Sequence, residues 1–288
     1  MDNRQSRSTL SLQDRFHWKP SQISYCFAID SSIDTNQYVK YGATSVVADT
    51  IGPMSSDPSS HSHPPASPEA LSAAARQMLD AYLRRIDGLG LPGASLLSGP
   101  DIVRWSLDLR SHPLLRRLDG LVLDDPRTSN HHLLATAPPL AGAVVHLSHD
   151  GDSRVVFADV EGFLDAVQRA AADDREVEDF HPSTSPPAGD QAGLGALIRA
   201  LLASPDDEDT AVAFIPSLDL RDTGLLRELA SHENFFVAEA LAVEIAKRPS
   251  EALREIASMC AAHAHPQAAN AGQRAVAAVE RWARSGQR

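Results

Sequence analysis

The chain has 288 residues, 43 % hydrophobic and 22 % charged, enough to build a core that needs no disulfide or metal staples. A formal net charge of −12 argues against a nucleic-acid binder, because phosphate contacts require clustered Lys and Arg, and favours attraction to basic partners. Cys26 and Cys260 form no disulfide framework, no apolar run reaches about 18 residues, and no signal-peptide pattern opens the chain, so a cytoplasmic protein without a membrane span is expected.

Residues 1–53 show no sustained period, although "YCFAID" and "ATSVVADTI" have strand-like composition. Residues 54–68, "MSSDPSSHSHPPASP", are too rich in Ser, Pro and His to offset their ordering entropy by burial. Residues 1–66 are therefore expected to be a low-order extension and linker. Met54, followed by Ser-Ser-Asp, also fits a translation start, which would leave residues 1–53 outside the fold.

Ser67, Pro68 and Glu69 read as the start of a helix whose stripe is Leu71, Ala74, Ala75, Met78, Leu79, Tyr82 and Ile86, ended by Gly88 and Gly90. A second helix is predicted over 100–109. A strand is expected at Leu121–Leu123 and another within 131–137. In "AVVHLSHDGDSRVVFA" two alternating runs flank Asp150-Gly151, the signature of a β-hairpin, and Asp159 then caps a helix carrying Val160, Phe163, Leu164, Val167 and Ala171. Strands that cluster instead of alternating with helices make this an α+β pattern, placed at 67–182. The acidic, then Ser/Pro-rich stretch from Asp173 to Gln191 reads as a boundary. An α-helical region at 190–288 is expected beyond it, with helices near 194–202, 222–231, 233–247, 250–263 and 266–284. "SPDDEDTAVAF" reads as an acidic loop and a short apolar run, and the Ala-rich spacing resembles stacked helix pairs of the HEAT-like type.

The densest polar group is His149-Asp150-Gly151-Asp152-Ser153. Paired carboxylates with a histidine suit acid–base work, so a small hydrolase using His149 with Asp150 or Asp152 is one reading. Asp-Gly is equally what a tight hairpin turn demands, and the plain turn is preferred. The histidine pairs His61/His63, His131/His132, His146/His149 and His263/His265 lack zinc-ligand spacing, and no nucleophile elbow or phosphate loop is present. No catalytic residue, metal or cofactor is expected. The acidic runs at 173–179 and 206–209 are solvated loops or a surface for a basic partner.

Residues 118–170 resemble the SUKH superfamily, the Smi/Knr-type domain, in the strand with "LDD", the "TSNHH" turn, Gly142 before the "SHDGDSRVVF" hairpin, and the closing helix from Asp159 to Ala170. With the two preceding helices the likeness spans about 67–180. The resemblance implies a mixed or antiparallel sheet flanked by helices and no catalytic residues. Many bacterial members are immunity proteins that bind and block a cognate toxin, often a nuclease, in interbacterial competition; eukaryotic relatives are interaction scaffolds. The expectation is thus a non-enzymatic immunity-type protein that occludes a toxin or effector with a basic surface, touching neither nucleic acid nor membrane. A protein-interaction scaffold built on the helices is the alternative. The expected contact residues are His149, Asp150, Asp152, Asp173, Asp174, Glu176, Asp206, Asp207 and Glu208.

Overall fold

The computed structural model describes residues 70–89, 96–124, 129–149 and 151–286. The expected extension at 1–66, the Ser67 cap and Asp150 lie outside these residues. The first described helix, α1 (Ala73–Asp87), is capped instead by Ser72, whose hydroxyl accepts the Ala75 amide at 3.0 Å. Next come α2 (Gly99–Asp108), capped by Ser98, and α3 (Pro113–Leu118), where His112 Nδ1 accepts the Leu114 amide at 3.2 Å. These caps satisfy amides that the first helical turn leaves without an acceptor.

Four short strands follow: β1 (Leu121–Val122), β2 (His131–Leu134), β3 (Val144–Leu147) and β4 (Arg154–Phe157), paired antiparallel in chain order. The fold is α+β with a wholly antiparallel sheet, as the clustered strands suggested. Helix α4 (Val160–Asp173) closes this part, capped by Asp159 as expected.

Strand alternation distributes side chains to two helical layers. Leu121, Leu134 and Val144 join α1, α2 and α4 in one apolar cluster, which also contains Tyr82, Ile102 and Phe163. Val122, Leu133, Val145 and Val155 belong to a second cluster with α3 and the helices after residue 190. A register irregularity between Val144 and Val145 sends both Val156 and Phe157 towards the first cluster. Covered on both faces, the strands are buried almost throughout, unlike the half-exposed strands of an open hairpin.

The remaining helices are α5 (Gln191–Leu202), α6 (Glu208–Phe214), α7 (Thr223–Ala230), α8 (Phe235–Lys247), α9 (Arg254–Ala261) and α10 (Pro266–Ser285). The expected loop and apolar run at 204–214 contain a helix, α6, because Glu208 and Asp209 complement its amino-terminal dipole and Ala211, Ala213 and Phe214 are buried. Helix α10 packs along α8 and α9, and α6 with the turn Ile215–Ser217 packs against β4. The buried cluster therefore runs across the 182–190 boundary without dividing there.

Asp207 strengthens this junction. Only 7 % of its side chain is exposed, and both carboxylate oxygens accept from α3, one from Arg116 at 3.4 Å and the other from Arg117. Deeper in, Glu244 of α8 receives Lys247 at 2.8 Å and Arg248 at 3.0 Å. Arg248 also donates to the carbonyls of Pro216 and Leu218, tying α8 to the turn beneath β4. Among the described residues no helix is long and apolar enough to cross a membrane.

Candidate functional site

Six residues, Ser148–Ser153, connect β3 and β4, a longer connection than the two residues of a tight hairpin turn. The last pair is His146 opposite Arg154. Beyond it the Ser153 hydroxyl takes the Ser148 amide at 2.9 Å, and Asn130 accepts the His149 amide at 3.0 Å. Side chains have replaced ladder bonds, and the loop widens. Gly151 has φ +90° with open space where a β-carbon would stand, so backbone conformation alone calls for glycine.

His149 and Asp152 are exposed on this loop, and Asp173, Asp174, Glu176 and Asp206 are exposed elsewhere, as a contact surface requires. Two expected contact residues differ. Asp207 is buried against Arg116 and Arg117 and holds the fold together instead of facing a partner. Glu208 is half-buried and accepts from the Asn234 amide group at 2.5 Å, fixing the start of α8. Asp173 is the last residue of α4, and Asp174 is its left-handed cap at φ 52°. No basic residue stands in that last turn. Both carboxylates thus face the negative end of the helix dipole, an arrangement that lowers stability.

A second polar group was not foreseen. The register sets His132 directly opposite His146 on the same sheet face, and His181 reaches them from the segment after α4. Ring centres lie 5.4 Å apart for His132 and His146, 5.0 Å for His132 and His181, and 4.7 Å for His146 and His181. Phe163 of α4 closes the group at 5.1 Å from His132, and Phe157 stands 5.7 Å from His181.

Asp124, just past β1, accepts both the backbone amide of His132 at 2.9 Å and its Nδ1–H. With both rings neutral, His132 Nε2 is then an acceptor, and His181 Nε2–H donates to it across 2.7 Å. His146 Nε2 is buried with no hydrogen-bond partner, and Glu178 stands 4.0 Å away, beyond hydrogen-bond reach. Burial first, then the neighbouring imidazoles, hold His146 below the ordinary histidine value and bring His181 down to about 3.

These residues form a titratable joint between sheet and connecting segment. His132 is 1 % exposed, so a substrate does not reach it. Among the described residues no three His, Cys, Asp or Glu side chains converge to hold a metal ion. Alternation in the sequence hints that His132 and His146 share a face. Strand register and the return of His181 are tertiary facts that no local pattern carries. No family model, curated protein or solved structure matches this chain.

Proposed function

We propose that this chain is a non-enzymatic binding protein of immunity type. It occludes a cognate toxin or effector whose docking surface is basic. The observation that carries this reading is the pair Asp173 and Asp174: two exposed carboxylates at the end of a helix where the dipole opposes them. Opposing charge on a partner relieves that repulsion on binding, Glu176 and Asp152 of the hairpin loop supply further exposed carboxylates, and His149 adds a polar contact on that loop. The exposed loop fits a contact better than a hydrolytic centre, which needs polar groups converging in a pocket. The resemblance of the sequence at 118–170 to the SUKH superfamily points to the same reading, and the helices α7 to α10 complete the body that presents the surface.

Co-expression with toxins encoded beside its gene is the test. Protection from one of them, with a stable complex weakened by salt and by Asp173→Asn with Asp174→Asn, is expected. Failure to bind or protect against any of them removes the proposal.

A further inference from the structure

We propose that His132, His146 and His181 form an acid-operated latch, in which proton uptake drives His181 and the segment Val177–Ser185 off the sheet while the helices stay folded.

The segment is built to lift. No residue of its short 3-10 turn, Val177–Phe180, is buried. Val177 and Phe180 are half-buried against the apolar cluster and Ser185 is buried, and the remaining attachments are polar. Arg154 of β4 donates to the Pro182 carbonyl at 2.7 Å and to the Ser185 hydroxyl at 3.5 Å, and Phe180 lies under the guanidinium groups of Arg169 and Arg175. His181 is the side chain that enters the cluster.

Inside it, one proton serves each contact: Asp124 accepts from His132, and His132 accepts from His181. A proton added to His181 makes its ring an imidazolium 4.7 Å from the His146 ring, whereas charge on His132 is met by Asp124 and leaves the 2.7 Å contact intact when His181 accepts at Nε2. Arg154, on the neighbouring strand, repels a charge on His181. The carboxylates that face the cluster are Asp124 at the end of β1, Asp152 on the hairpin loop and Glu178 on the segment itself. Glu178 leaves with the segment, and Asp124 is already engaged by His132. Helix α4 contributes Phe163. A neutral His181 therefore closes the latch and a charged one opens it.

The pH range follows from linkage. Closed, His181 titrates near 3; released into water it returns to its ordinary 6.5. A fall from pH 7.5 to 5.0 then raises the released population about 30-fold for this one group.

Glutamate-specific proteolysis of the full chain reads that population. Cleavage after Glu176 and Glu178, normalised to a free peptide of the same sequence, is expected to accelerate about 30-fold between pH 7.5 and 5.0. Cleavage within α8 to α10, which needs global unfolding, stays far slower than cleavage in the segment at both pH values. His181→Phe keeps the ring and loses this proton site, so its cleavage loses most of the pH response. In the wild-type chain, the His181 ring resonance is expected to titrate below the ordinary histidine value. A flat rate, cleavage of α8 to α10 as fast as that of the segment, an unchanged pH response in His181→Phe, or a His181 midpoint at the ordinary value would each overturn the latch.

Discussion

Asp174 adopts φ 52°, ψ 49° with its amide bonded to the Ala170 carbonyl, and its charge meets the carbonyl end of α4. Asn tolerates the same left-handed conformation without the charge. Asp174→Asn should therefore raise stability by about 0.3–1 kcal/mol, read from urea unfolding, while weakening partner binding. His112 makes the opposite case, a residue whose titration matters only to folding. Burial, then the nearby His131, brings it down to about 4, and its Nδ1 must stay unprotonated to accept the Leu114 amide. Its folded pKa lies below the unfolded 6.5, so the unfolded chain binds the proton first. Stability from this residue is complete above pH 6.5 and falls by up to about 1.4 kcal/mol per pH unit as pH drops towards 4. His112→Asn retains a cap acceptor and loses the titration. Its unfolding free energy should be less steep between pH 7 and 5 than that of the wild type; equal slopes would contradict the assignment. Neither role was readable beforehand. "HP" at 112–113 marks a helix start, yet only packing decides whether the ring is buried.

At the scale of elements, the close contact of α10 with the end of α9 rests on Gly272. A β-carbon there would stand 2.2 Å from the Ala261 amide nitrogen and 2.4 Å from the Cys260 carbonyl carbon, both backbone atoms that cannot rotate away. Helix propensity favours alanine over glycine by about 1 kcal/mol, but overpacking against backbone costs about 1–3 kcal/mol or more. The clash should win: Gly272→Ala is expected to lower the urea midpoint, and an unchanged or higher midpoint would show that α9 yields freely. Helices α4, α8 and α10 were readable from the sequence because caps and apolar stripes are local, as at Asp159 and Phe163. The six-residue hairpin loop was not, since the Ser148–Ser153 and Asn130–His149 bonds that widen it depend on side chains meeting in space. The histidine group failed to show for a related reason. His181 lies in "DFHPS", whose composition reads as linker, while its ring is placed by the sheet beneath it.

For the whole molecule, what matters is that the sheet is shared. Leu114, Leu115, Leu118, Val122, Leu133, Val145 and Val155 precede the Ser/Pro-rich stretch, yet they occupy one buried cluster with Leu194, Phe214, Ile215, Leu241 and Ile256. Composition marks a boundary at 182–190 because that stretch runs over the surface; it does not mark where apolar contacts end. Exposing each of those large side chains costs about 1.5–3 kcal/mol, and together they approach or exceed the 5–15 kcal/mol by which a domain is ordinarily stable. Asp207 would also be lost from Arg116 and Arg117. Residues 67–186 expressed alone should therefore lack cooperative unfolding and dispersed amide resonances, whereas 67–288 retains both. A cooperatively folded 67–186 fragment would show that the α+β part needs no cover from the helices. Since the truncation removes the fold along with the surface, mapping of a partner must rely on exposed substitutions such as Asp152→Asn and Glu176→Gln, which leave both layers in place.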